Sequence, residues 1–425
     1  MTPTPSNAAA ETGPTRTNRR ARLAVSLLFL TNGALFANLL PRYPAIKDGL
    51  DLSNAAFGAA VAAFPLGALI AGLAAASLIR RFHSSRVAVA GTILTGTGVL
   101  LAGLAPNWAM LAAALFLGGA MDAITDVAQN AHGLRVQRAY GRSILNSFHA
   151  VWSVGAMLGG LLGGAAAGLD IPRGIHLAIS LVLFGAVALV ALPLLLPGAE
   201  PRRSTVVTTE AGTATSEGTR HDVDATPVRI SRLRIAALLA ALVLVGIGGT
   251  LVEDAGSSWA AIYLKGSLGA IAPVAALGFV ALVGCQFVGR MIGDGLVDRF
   301  GQRAVAQTGG AIVVVAMGLA LAFPSVPGTI VGFGLAGFGV ATLVPAAMHT
   351  ADELPGLRPG TGLTVLSWLM RLGFLFSPPI VGAVADRTSL ATGLLVVPLA
   401  GVLVLACSAA LPRRDPGGRH NVSSP

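Results

Sequence analysis

The chain has 425 residues, of which 54% are hydrophobic and only 11% charged, with a formal net charge of +10. A soluble domain carries about 25% charged residues. This composition therefore excludes a water-soluble globular protein and points to a polytopic membrane protein. It also makes nucleic acid a poor partner, because basic residues in such chains serve to orient them in the bilayer.

In chain order, residues 1–20 form a polar tail that reads as disordered and carries no early apolar core of a cleavable signal. A membrane-spanning helix needs about 20 mainly apolar residues. Twelve stretches qualify: 21–42, 54–79, 87–105, 108–133, 145–168, 174–196, 233–262, 268–292, 304–323, 328–350, 361–385 and 389–411. Between the sixth and seventh, residues 198–232 are rich in Thr, Ser, Gly and charge, the composition of a flexible linker. The expected fold is all-α, with twelve transmembrane helices in two six-helix bundles, 21–197 and 233–411, followed by a tail at 412–425. Cys285 and Cys407 lie inside apolar stretches without metal-ligand spacing and read as small buried hydrophobes.

The basic residues orient this map. Of the 29 Lys and Arg, 23 fall on the side of the two tails and the linker. Five fall on the other side (Arg42, Lys47, Arg173, Lys265 and Arg387), and Arg371 alone is intramembrane. The positive-inside rule then places both termini in the cytoplasm of a bacterial inner membrane. Arg42 reads as an anchor at the outer interface, and Trp259 and Tyr263 as members of an interfacial aromatic belt.

The halves repeat. GRMIGDGLVDRFGQRAV (289–305) follows the eighth helix, and LIRRFHSSRVAV (78–89) follows the second, with Phe300 aligned on Phe82. GDGLVDRFGQR resembles the signature loop of the major facilitator superfamily, roughly G-x-x-x-D-R-x-G-R-R. Asp298, Arg299, Gly301 and Arg303 sit on its positions, and Asp294 stands where the leading glycine is expected. In the first-half copy Arg80 replaces the aspartate and His83 the glycine. NLLPRYPAIKDGLDLSNAAFG, DVAQNAHG with GRSILNSFHAVWSVG, and EDAGSSWAAIYLKGSLG resemble a bacterial branch of sugar-permease-like exporters and MosC-like membrane proteins. The resemblance implies a gating loop on the cytoplasmic side, in which Asp298 takes hydrogen bonds from a helix N-terminus and pairs with arginine. SVGAMLGGLLGG (153–164) is similar to the fifth-helix glycine motif of family antiporters, with Gly160 in the proline position. Close helix packing is the alternative reading of the same glycines. Pro378 and Pro379 should kink or interrupt the eleventh helix.

One stretch carries most of the polar chemistry. MDAITDVAQNAHG (121–133) ends an apolar run. At about 100° per residue, Asp122, Thr125, Asp126, Gln129, Asn130 and His132 share one helical face. An intramembrane carboxylate facing lipid costs roughly 2.5–3.5 kcal/mol on insertion scales, so the face should line a water-filled cavity. The next helix brings His149 to the height of Asp126, and the pair could relay protons. Asp122 and Asp126 carry protons, hold substrate or clamp two helices; the residues alone leave these open. Further candidates are Asn32 in the first helix, Glu253 and Asp254 near the outer end of the seventh, and Arg371 as a partner for an acid or an anionic group.

The expected function is secondary active transport of a small organic solute, coupled to protons, by rocking of two halves about a midplane site. Export is the reading adopted, with sugar-like uptake by symport as its rival. A non-transporting membrane sensor belongs to another class. An enzyme is not expected, because there is no phosphate loop, no H-E-x-x-H and no nucleophile elbow. The expected partners are the lipid bilayer, a small solute and protons, with no cofactor and a monomeric state.

Overall fold

The computed structural model describes residues 15–198, 231–358 and 360–412. The expectations for the tail before residue 15, most of the linker and the C-terminal tail lie outside the described residues. Among those described, every regular element is helical. Twelve helices are long and apolar enough to cross a membrane. They are α1 Arg16–Gly49, α2 Asn54–Gly72, α3 Ser84–Leu104, α4 Trp108–Tyr140, α5 Leu145–Gly168 and α6 Arg173–Leu194 in the first half. The second half holds α7 Leu233–Ser267, α8 Ala272–Phe300, α9 Gln302–Ala322, α10 Val326–Asp352, α11 Thr361–Arg387 and α12 Leu390–Ala410.

Polar caps start several of these helices. Ser53, Asn107, Ser325 and Ser389 each accept a hydrogen bond from a backbone N–H three residues on, which satisfies a donor the helix itself leaves open. Thr15 does the same for Asn18, so α1 begins at Arg16 rather than at residue 21, and residues 16–20 are helical. A short helix, Ala75–Phe82, continues α2 and ends at His83. His83 has φ 71° and ψ 146°, and Gly301 at the matching place after α8 has φ 84° and ψ 154°. The tight turn of the repeated loop is thus kept in both halves. In the first it is imposed on a side chain that such backbone disfavours. Pro378 and Pro379 sit inside an unbroken helical stretch, Arg371–Arg387. The interruption of α11 falls instead at Met370, whose carbonyl accepts from Thr250 Oγ1 at 2.9 Å.

The halves meet chiefly through two helix pairs, α2 with α11 and α5 with α8. Where α2 crosses α11 the backbones touch. A Cβ on Gly58 would lie 2.2 Å from the Pro378 carbonyl oxygen, and one on Gly382 would lie 2.2 Å from that of Asn54. The α5 glycines divide between two faces. Gly155, Gly159 and Gly163 lie against the α1 backbone, while Gly160, Gly164 and Gly168 lie against Phe279, Ala276 and Pro273 of α8. Small residues here let three helices approach closely, as packing inside a membrane requires.

These crossings shut one side of the molecule, termed here the far side. Phe57 bridges the halves there, with ring centroids 5.2 Å from Tyr43 and 5.8 Å from Trp259. Trp259 and Tyr263 are therefore core residues, 0% and 1% exposed, and not an interfacial belt. Arg42 is likewise buried rather than anchored at an interface. It donates to the Ile171 carbonyl at 3.0 Å and to His176 Nδ1 at 3.3 Å, because the chain between α5 and α6 folds over it. The near side carries residues 15, 198, 231 and 412. It opens into a cavity of about 700 Å³ between α5, α8 and α10.

Candidate functional site

The face of α4 chosen from the sequence splits in two. Asp122, Asp126 and Asn130 occupy one edge, where Asp126 is exposed and the other two half-buried. Thr125, Gln129 and His132 occupy the other and are wholly buried. His132 serves the inside of the first half: it pairs with Ser84 Oγ through Nδ1 at 2.8 Å and accepts the Leu196 N–H at 3.1 Å through Nε2. The single face read from the wheel fails here because α3 and the chain just after α6 cover its edge. Gln129 is buried beside Asp126.

Asp122 is held by a chain of side chains across three helices. Trp152 Nε1 of α5 donates to Asn32 Oδ1 of α1 at 2.8 Å, and Asn32 Nδ2 donates to Asp122 Oδ1 at 2.7 Å. An indole can only donate, so its position dictates which end of the amide faces Asp122. Asn130 Nδ2 donates to Asp126 Oδ1 at 2.9 Å and to the Asp126 carbonyl at 2.9 Å. Asp126 feels the charges of His149 and Arg371, and the Asp122 and Asp126 carboxylates feel each other. Sequence reasoning missed Trp152. Its signal was a lone tryptophan one helical turn beyond His149.

His149 is exposed in the cavity wall beside Asn146 and packs edge-on against Phe29, with centroids 5.2 Å apart. It makes no direct ion pair with Asp126; their interaction is through space. Arg371 is exposed one residue past the break in α11, with its guanidinium close to Gly72 of α2. From the second half it sets a positive charge against Asp126 without forming a direct ion pair among the described residues.

Glu253 is not at the outer end of α7. It lies 14 residues before the helix ends at Ser267, where it accepts from Gln286 Nε2 at 2.9 Å and sits 3.9 Å from Arg290 Nη2. Arg290 lines the cavity and its charge reaches His149. Gln286 and Arg290 are thus two further site residues, legible only as an i, i+4 polar pair in α8. Asp254 is 8% exposed and turned toward the far side. Ser258 Oγ lies 3.4 Å from its Oδ1, and Tyr43 of the other half feels its charge.

The gating-loop residues divide as well. Asp294 and Asp298 line the open cavity. Arg299 lies over the Phe300 ring at 5.3 Å. Gly301 forms the turn. Arg303 donates to the Ser408 and Ala409 carbonyls at the end of α12, so it fastens the second half to itself. Among the described residues no group of three His, Cys, Asp or Glu is placed to hold a metal.

The family model of the Major Facilitator Superfamily matches residues 25–294. An uncharacterized transporter of Sinorhizobium fredii is 29% identical over 383 residues, 90% of this chain and 96% of that one. Membrane protein MosC of Rhizobium meliloti is 27% identical, covering 93% and 91%. Among solved structures, a bacterial homolog of the human lysosomal transporter Spinster superposes with TM-score 0.67 at 18% identity, covering 94% of this chain and 97% of that one. A D-xylose–proton symporter superposes with TM-score 0.67 at 17% identity, covering 93% and 98%. With twelve apolar helices, two matching halves and a cavity between them, the chain is a multi-pass membrane transporter that belongs to the Major Facilitator Superfamily.

Proposed function

We propose that the chain exports a small organic solute in exchange for protons, by alternating access. One observation supports this most: exposed Asp126 lies within reach of the charges of His149 from its own half and Arg371 from the other. A carboxylate in that position has a different electrostatic neighbourhood whenever the halves rock. Its proton occupancy then depends on which side is open, which is what coupling requires. Asp122, held by Asn32, is the second acid of the relay. The facing wall, with Arg290, Glu253 and Gln286, gives the solute polar groups of both signs to bind.

Export over sugar-like uptake rests on the resemblance of the α5 glycine run to family antiporters. The near side is the cytoplasmic side in this reading, supported by the excess of basic residues that the sequence map assigns to the side of the tails and linker, and the transporter works as a monomer in a bacterial inner membrane. The test is solute flux in reconstituted vesicles with and without an imposed pH gradient. A solute whose outward movement responds to the gradient is expected. Asp126→Asn should abolish the gradient-driven component while the protein keeps its melting temperature within a few degrees. Wild-type rates at every pH in that variant would remove Asp126 from the relay.

A further inference from the structure

The start of α2 is satisfied from two sources. Ser53, its own N-cap, accepts from Ala56 N at 3.1 Å. The two preceding N–H groups donate to the other half: Asn54 N to Asp386 Oδ1 and Ala55 N to Asp386 Oδ2, each at 2.8 Å. Among the described residues, these are the two hydrogen bonds that join the halves. The geometry has a plain origin. Gly58 and Gly382 let the α2 and α11 backbones touch. One turn further out on each helix, Asn54 and Asp386 face each other. A carboxylate accepting two N–H groups at a helix N-terminus is a charge-assisted contact favoured by the helix dipole. It exists only while the far side is shut, and it lies directly outside the Tyr43–Phe57–Trp259 aromatic contact.

On the near side the start of α5 is satisfied within its own half. There the N–H groups of Ile144 and Leu145, at the start of α5, are already taken by Gln137 Oε1 of the same half at 2.9 and 3.0 Å. The sequence nevertheless writes the two ends alike: α8 closes on Asp298–Arg299 and α11 on Asp386–Arg387.

We propose that Asp386 is the latch of the far side. By capping α2 from the opposite half, it holds the transporter open toward the near side, and its release is a step of the transport cycle. The proposal presupposes alternating access, but its test needs no solute, so it stands or falls separately from the proton-coupled reading.

The full chain with Cys285→Ala and Cys407→Ala is placed in lipid nanodiscs, with one reporter at a time. Ser377→Cys reports on the far side, because Ser377 is 0% exposed beneath the α2–α11 crossing. Asn146→Cys reports on the near side, where it lines the cavity. A membrane-impermeant maleimide is the probe. Asp386→Asn should raise the labelling rate at Ser377→Cys roughly two- to thirtyfold, the range that loss of a helix cap implies, and should slow labelling at Asn146→Cys. Asn54→Pro removes one donor at a helix position where proline is well tolerated. It should act in the same direction, and the double variant should add little to Asp386→Asn. Unchanged labelling at Ser377→Cys in both variants, or faster labelling at both reporters, would overturn the latch.

Discussion

Asn32 has one accepting and one donating end, and both are committed, to Trp152 and Asp122. It therefore positions Asp122 and is not free to bind solute. Trp152→Phe removes the only donor that fixes the amide, and should lower stability by about 0.6–1.7 kcal/mol, the range for interhelical side-chain bonds in membranes. It should also shift the pH profile of flux, because Asn32 can then present either end to Asp122. A loss of stability with an unmoved pH profile would make Trp152 merely structural. His132 gives the contrasting case. Its partners Ser84 and the Leu196 N–H are structural, so His132→Ala should cost roughly 1–3 kcal/mol by removing these buried bonds, while flux per folded molecule stays near wild type. Of the polar stripe on α4, the sequence made legible which residues are polar and that they cluster. Which edge is covered was decided by neighbours from α3 and from the chain just after α6, and no wheel contains them.

At the scale of helices, the α5 glycines test the division between packing and motion. Gly155 lies 2.2 Å (as a virtual Cβ) from the Leu30 carbonyl of α1, within one half. Gly155→Ala forces backbone against side chain and should destabilise the fold by about 1–3 kcal/mol. Gly160 instead meets Phe279 and Val280 side chains of α8 at 3.0 Å, across the halves. Gly160→Ala should leave the melting temperature nearly unchanged and alter the flux rate, because it crowds the surface that slides. Equal losses of stability in both variants would show that the two faces are not distinct. The paired turns at His83 and Gly301 belong to this scale too. In the first copy His83 stands in place of the glycine. The backbone retains the turn because the following helix α3 starts from it, so local strain is tolerated for the sake of packing.

For the whole molecule, orientation is the property most directly open to test. If the 23 basic residues lie in the cytoplasm, an impermeant thiol reagent on intact cells should modify Asp48→Cys, exposed on the far side, and reach Ser231→Cys only after lysis. The reverse pattern would invert the membrane topology. The amino-acid sequence by itself determined that this chain builds twelve apolar helices, because about 20 apolar residues per crossing are a local property of the text. It also determined where carboxylates and histidines interrupt those helices. The tertiary structure alone decided which side is shut and which polar atoms meet. It moved Glu253 to mid-depth beside Arg290, buried Trp259 between the halves, committed Arg303 to the end of α12, and brought Asp386 onto the first turn of α2. The reason is physical. Those contacts join residues far apart in the chain, and they arise from backbone crossings between helices, which no local pattern of hydrophobicity encodes.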